Sequence, residues 1–162
     1  MASPAYQERL DNPTSWTRRT MPWFHDMSRS ACRLAWSAGF GRGGVVVTLK
    51  LPAPEQLSAD WLEALRDNVT TKAIEQAQLT HAELWQGDQG VSRRPSAERE
   101  LRRDEDEVVE QVLILESTNA ASLLNLRPAI EQVLLEVGGA PVPFWLYQLI
   151  YSLSAHELPS SE

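Results

Sequence analysis

The sequence of 162 residues is poor in the residues that build disulfides and metal centres. Cys32 is the only cysteine, which excludes an intramolecular disulfide and a cysteine metal cluster. The three histidines, His25, His81 and His156, fall on different predicted elements and lack the spacing of metal ligands. Either His25 or His81 could ligate a haem axially, but a lone histidine is more often structural. We therefore predict no metal and no cofactor.

Targeting and membrane segments are also missing from the sequence. The N-terminal residues Met-Ala-Ser-Pro-Ala-Tyr lack the apolar stretch of a signal peptide. No apolar run approaches the roughly 20 residues that cross a bilayer. The Gly-x-Ser-x-Gly motif of a serine nucleophile is absent as well. The absence of a signal peptide and of a membrane-spanning run predicts a cytoplasmic protein that has no membrane partner.

The chain has fewer basic than acidic side chains, and its net charge is −7. A nucleic-acid surface must be cationic, so this balance argues against nucleic acid as the main partner. Residues 1–50 carry seven basic and three acidic side chains, a net charge of +4 that leaves −11 for the remainder. We expect this basic segment to lie against an acidic body in the same chain or a partner chain. A basic arm for nucleic acid or a membrane is the alternative.

Six regular segments follow residue 43 in the order strand, helix, strand, strand, helix, strand. Each shows strand alternation or helical spacing of its apolar residues. The predicted strands span 45–51, 79–85, 108–116 and 144–153, and the predicted helices begin at Ser58 and at Thr118 or Asn119. This is the split βαβ order of a ferredoxin-like α+β sandwich, with a four-stranded antiparallel sheet in a domain over residues 44–154. Pro128 inside the second helix predicts a kink or a break.

Three further segments flank or interrupt this predicted domain. Residues 1–43 form an N-terminal extension, in which apolar residues of 22–38 recur at helical spacing and predict an extra amphipathic helix. Residues 88–107 form a charged insert, and loops of this length in compact domains are usually functional or disordered. A short helix near Pro95 is expected there. Residues 155–162 form a polar tail.

The last two predicted strands are apolar on both faces, as the alternation of Trp145 and Tyr147 with Phe144 and Leu146 illustrates. Both helices of a split βαβ sandwich cover the same face, so the second face is left over. Leaving its apolar side chains in water would forgo about 1.5–3 kcal/mol each. Either a second copy of the chain packs sheet to sheet, or the helix predicted at 22–38 covers this face. We favour the homodimer.

The first two strands supply the polar constellation of most interest. Lys50 on the first strand, with His81 and Glu83 on the second, points to the second face of the sheet. Gln148 of the fourth strand is a candidate to join them. If two sheets enclose these side chains, they are suited to act as acid, base or ligand. The alternative is that alternating polar residues of this kind simply face solvent.

Three short motifs accompany this pattern: Asn12-Pro13-Thr14-x-Trp16-Thr17-Arg18-Arg19, Ala82-Glu83-Leu84-Trp85 and Ser96-x-Glu98-x-x-Leu101-Arg102. With them, the chain is similar to a group of bacterial proteins that have no assigned activity. More broadly, its element order and two-sided strands over residues 44–154 resemble the dimeric α+β-barrel superfamily, which includes ether-degradation-associated (EthD-like) and stress-responsive proteins. The resemblance implies a ferredoxin-like fold and a homodimer. It implies no catalytic residue, because one fold supports many activities.

Two functional hypotheses follow from these observations. In the first, the sheet face binds a small molecule, either as a cofactor-independent enzyme or as a ligand-binding protein, and a cavity touches His81 and Glu83. In the second, the chain is a non-catalytic homodimeric assembly or regulatory module, and the same face is filled. A cavity of a few hundred Å³ at that face separates the two hypotheses.

Overall fold

In the computed structural model of the protein, the described residues are 4–53, 60, 63, 65–76, 78–102, 106–136 and 142–150. The chain divides into two compact units. We call the first the insert unit, and it combines Met1–Arg33 with Gln86–Glu110. We call the second the sheet unit, and it combines Leu34–Trp85 with Gln111–Glu162. The N-terminal segment and the charged insert, which are distant in sequence, thus belong to one unit.

The protein is an α+β protein with an open five-stranded antiparallel sheet. Its strands are β1 (Cys32–Gly39), β2 (Val45–Leu51), β3 (His81–Gly87), β4 (Gln111–Ser117) and β5 (Trp145–Gln148). Their order across the sheet is β1-β3-β4-β2-β5. The α+β class is confirmed, whereas the prediction of four strands is wrong because β1 adds a fifth at the edge beside β3.

The prediction of an amphipathic helix over 22–38 is also wrong, because part of this segment forms strand β1. A 3₁₀ turn at Met21–Trp23 is followed by irregular backbone, in which Asp26 has a φ of 51°, and then by β1. Of the apolar residues that suggested the helix, Leu34 and Ala38 share one face of β1 with Trp36, whereas Ala35 lies on the other face. Trp36 packs against the hydrophobic core. Pairing with β3 and burial of this indole favour the strand, a tertiary effect that local spacing does not contain.

The helices are α1 (Pro4–Asp11), α2 (Ser15–Thr20), α3 (Leu65–Thr71 in π-helical form, continued by Lys72–Glu75), α4 (Gln89–Ser92) and α5 (Ala120–Glu136). The cap predicted for the last helix is confirmed, because the Asn119 side chain accepts a hydrogen bond from the Ser122 amide at 2.9 Å. Helix α5 continues through Pro128, so of the predicted kink or break the break is wrong. The predicted start of the earlier helix at Ser58 lies outside the described residues.

The hydrophobic core lies between one face of the sheet and helices α3 and α5. Helix α5 contacts β2, β4 and the π-helical part of α3. The fully buried side chains alternate along the strands, as a half-covered sheet requires. They include Val47, Leu49, Leu84, Leu113, Leu115, Leu65, Leu123 and Ile130. The strand predicted at 45–51 is confirmed at both ends, and its odd-numbered residues form the core face.

The insert unit is held together by hydrogen bonds and ion pairs between its two chain segments. Glu98 accepts a hydrogen bond from the Arg29 guanidinium at 2.9 Å, and the Arg33 guanidinium lies 3.9 Å from the Asp88 carboxylate. These two arginines of the basic N-terminal segment therefore pair with acids of the insert. Burial disfavours the charged form of Arg29, yet the neighbouring Tyr6 and Glu98 raise its pKa above the ordinary value.

Short elements order the described part of the charged insert. Asp88 caps α4 by accepting a hydrogen bond from the Val91 amide at 2.9 Å. A 3₁₀ turn, Arg99–Leu101, follows Pro95 and agrees with the short helix expected there. No helix in the described part of the chain is long and apolar enough to cross a membrane.

Candidate functional site

The candidate site is the face of the sheet opposite α3 and α5, which we call the open face. The pairing of β2 with β4 and β5 determines which side chains it presents. Thr48 lies opposite both Ile114 and Trp145. Rows on either side are formed by Val46 with Glu116 and Tyr147, and by Lys50 with Val112. The open face therefore has an apolar centre with ionisable groups at both ends of β2 and β4.

The apolar side chains of the open face are partly solvent-exposed. Trp145 and Tyr147 on the edge strand β5 expose 36% and 51% of their surface. Val46, Val112 and Ile114 on the inner strands are half-buried. In contrast, the core-facing neighbours Leu113 and Leu115 are fully buried. The expectation that both faces of the later strands are apolar is thus confirmed for β4 and β5.

Strand β3 brings two of the three predicted site residues together. The Nε2 atom of His81 lies 3.7 Å from Oε1 of Glu83, and the indole Nε1 of Trp85 donates a hydrogen bond to Oε2 of Glu83 at 2.7 Å. All three are half-buried and alternate with the buried Ala82 and Leu84. We call these three side chains the β3 row. The Glu83 carboxylate is therefore oriented from both sides.

The third predicted residue lies apart from this row. Lys50 is on β2, and β4 lies between β2 and β3 in the sheet. Its ammonium group is 5.3 Å from the centre of the Trp145 ring, a cation–π geometry. Gln148 lies opposite Val45, a residue of the core side, so its side chain does not join the open face as predicted.

Sequence reasoning missed Glu116, the carboxylate at the other end of the open face. Its Oε2 atom accepts a hydrogen bond from the Gly43 amide at 2.8 Å. Gly43 packs so closely against the backbone of Ser117 that a Cβ atom would collide with it. The sequence did indicate this position. Glu116, Ile114 and Val112 are two residues apart in one strand, so their side chains point to the same face.

Cavities were the feature expected to separate the two functional hypotheses. A groove of ≈420 Å³ at one end of the open face is lined by Val46 and Glu116, together with Arg42, Leu149 and other residues. Two cavities of ≈440 and ≈340 Å³ lie within the insert unit. Neither His81 nor Glu83 lines any of these three spaces.

Metal and thiol chemistry find little support in the described residues. Among them, no group of three or more His, Cys, Asp or Glu side chains is placed to hold a metal ion. His156 lies outside the described residues. Cys32 is partly buried, and this burial raises the pKa of its thiol. The thiolate is consequently scarce at neutral pH, as expected for an inert cysteine.

Comparison with protein-family models, with curated proteins and with solved structures found no match to this chain.

Proposed function

We propose that the chain is an association module whose open face binds a second copy of the chain in a homodimer. The observation that carries the proposal is the partly exposed apolar centre formed by Trp145, Tyr147, Ile114, Val112 and Val46. A contiguous exposed patch of this kind usually marks an interface. Since the segment predicted as helix 22–38 ends in strand β1, it is not available as a covering helix.

The charges of the open face favour a second copy over an unrelated partner. Lys50 and Glu116 lie at opposite ends of the face, since Lys50 is opposite Val112 and Val46 is opposite Glu116. Four strand residues separate the two rows, which corresponds to about 13 Å. A two-fold axis between the rows brings the basic end of one face onto the acidic end of the other. A face with both signs of charge is thus complementary to itself.

We further propose that the sheet is ferredoxin-like, with β1 as an addition. Support comes from the strand order, because β4 lies between β2 and β3, and β2 lies between β4 and β5. Helices α3 and α5 connect these two separated pairs. The chain thus contains two split βαβ units, β2-α3-β3 and β4-α5-β5. This arrangement agrees with the resemblance to dimeric α+β barrels, in which a homodimer is the expected assembly.

Sedimentation velocity over a range of protein concentrations tests the homodimer. We expect the unmodified chain to sediment as a dimer and the Ile114→Lys variant to sediment as a monomer. The substitution inserts an ammonium group into the apolar centre once per copy, so symmetry doubles its cost. The dissociation constant of the dimer should rise by at least about a hundredfold, the effect of an interface hot spot.

Leu124→Lys is the matched control for this experiment. Leu124 is an exposed leucine on α5, which packs on the other face of the sheet. The control should leave the dimer intact. A monomer at every concentration of the unmodified chain would refute the proposal, as would equal dissociation by the two lysine variants.

A small-molecule site on the β3 row is the second candidate function, as an enzyme or as a ligand-binding protein. It is favoured by the contacts of Glu83 with His81 and Trp85, because a carboxylate beside an imidazole can hold and transfer a proton.

The indole N–H resonance of Trp85 reports directly on this second candidate. We expect at least one compound from a panel of small organic acids and alcohols to shift it saturably in the dimer. Glu83→Gln should weaken that binding by about tenfold or more, since it removes a charged hydrogen-bond acceptor. If no compound gives a saturable shift, or if Glu83→Gln binds equally well, the small-molecule role at this row is rejected.

A further inference from the structure

The two cavities of the insert unit form a second place where chemistry can occur. They have volumes of ≈440 and ≈340 Å³ and share Pro95, Ser96, Arg99 and Asp106 in their walls. Among the described residues, five arginines and two acids, Glu100 and Asp106, line the pair. The arginines are Arg29, Arg93, Arg94, Arg99 and Arg102. The lining is thus rich in donors that recognise anions.

Part of this positive charge is already compensated within the unit. Arg102 bonds to both carboxylate oxygens of Asp106 and lies 3.6 Å from Glu98. Arg29 is held by the same Glu98 and by the hydroxyl of Tyr6, each at 2.9 Å. These contacts neutralise Asp106. Glu100 is the other acid among the described wall residues, and it offsets only part of the charge of Arg93, Arg94 and Arg99.

Arg99 and Ser96 are half-buried and supply donor groups to the wall that the two cavities share. Arg99 is positioned by one hydrogen bond from Nη1 to the Ser92 carbonyl at 2.8 Å. The Ser96 hydroxyl accepts a hydrogen bond from the Arg99 amide at 3.2 Å and retains its own hydrogen for donation.

We propose that these cavities bind the phosphate group of a small phosphate monoester. The guanidinium group of Arg99 and the hydroxyl of Ser96 bind its oxygens, and Arg93 and Arg94 add charge at the rim. Planar guanidinium groups bind phosphate oxygens through paired hydrogen bonds. The remainder of the ligand lies against apolar side chains of the smaller cavity, among them Leu10 and Val91.

The size and charge of the site favour this ligand class over its alternatives. Volumes of ≈340 and ≈440 Å³ are those of small-molecule sites and leave room for more than a bare anion. A single carboxylate is satisfied by one guanidinium, whereas a dianionic phosphate matches several. The net charge of −7 on the whole chain disfavours a nucleic-acid backbone, which needs a broadly cationic surface.

Titration of the full chain with phenyl phosphate tests the proposal, with the Nε–H resonance of Arg99 as the probe. We expect a saturable shift, with inorganic phosphate binding at the same site more weakly. Benzoate, the matched carboxylate, should bind at least about tenfold more weakly than phenyl phosphate. No saturable shift, equal binding of benzoate, or tighter binding of single-stranded oligothymidine would overturn the assignment.

Substitutions then locate the site. Arg99→Met should weaken phenyl phosphate binding by about tenfold or more, and the double variant Arg93→Gln/Arg94→Gln by about threefold or more. The double variant matters because Arg99 also holds the Ser92 carbonyl, whereas Arg93 and Arg94 are exposed. Arg127→Met on α5 is the control and should leave the affinity unchanged. Unchanged affinity in both test variants would overturn the proposal.

Discussion

The Asp106→Ala variant should lose about 3–5 kcal/mol of unfolding free energy, the usual cost of breaking a buried ion pair from one side. Arg102 and Asp106 expose only 3% and 5% of their side chains, so water cannot solvate the charge that is left behind. Glu98 lies farther from Arg102, at 3.6 Å, and also pairs with Arg29. It therefore replaces the lost carboxylate only in part. Chemical denaturation measures the loss, and amide hydrogen exchange should locate it in the insert unit.

The Arg102→Met/Asp106→Leu double variant separates lost pairing from lost packing. Replacing both charges by apolar groups of similar size is often neutral, so it should cost far less than Asp106→Ala alone. Glu131→Ala is the matched control, because Glu131 forms an exposed pair with Arg127 on α5. An exposed pair contributes at most about 1 kcal/mol. A loss in Asp106→Ala no larger than that in Glu131→Ala would contradict the buried pair.

The Leu113→Ala variant should be the most destabilising change in the sheet unit, at about 2–5 kcal/mol. Leu113 is fully buried in β4, a strand with neighbours on both sides, and its side chain belongs to the core beneath α5. Truncation removes apolar burial and leaves a cavity that the surrounding strands can fill only in part. Thermal and chemical unfolding, compared with the unmodified chain, measure the effect.

Two control variants make the Leu113→Ala measurement a test of which face of the sheet packs against the core. Leu124→Ala, at a leucine that is 48% exposed on α5, should change the unfolding free energy by less than about 0.5 kcal/mol. Ile114→Ala, on the open face, should cost clearly less than Leu113→Ala in the monomer. If Ile114→Ala were the costlier change, the two faces would be exchanged, because a one-residue shift in register moves every side chain to the other face.

Local sequence patterns were sufficient to predict an element where the spacing of its apolar residues matches the side that is buried in the structure. The strand at 45–51 was predicted at both ends because alternating apolar residues, flanked by glycine and proline, leave one consistent interpretation. The buried leucines of α5 and its Asn119 cap follow from equally local chemistry. The prediction for the segment 22–38 failed because helical spacing is a local signal, whereas Cys32–Gly39 becomes a strand through its pairing with β3.

Some residues of the candidate site were also predictable from local spacing, whereas others depend on the order of the strands. His81 and Glu83 were predicted to share a face, and residues two apart in one strand do so by geometry alone. Lys50 was grouped with them because each strand was considered by itself, yet β4 lies between them in the sheet. Arg29 and Arg102 are 73 positions apart in the chain and meet around Glu98, a contact that no local pattern contains.

The sequence by itself determined the α+β class, the approximate positions of β2, β3, β4 and β5, the core side of β2 and the absence of a cysteine cluster. These properties depend on alternation, capping and composition, which act over a few residues. Only the tertiary structure decided that the sheet has five strands, that Glu116 closes one end of the open face and that the arginines of the insert surround a cavity. Each of these depends on contacts between residues distant in the chain, and local preferences do not specify them.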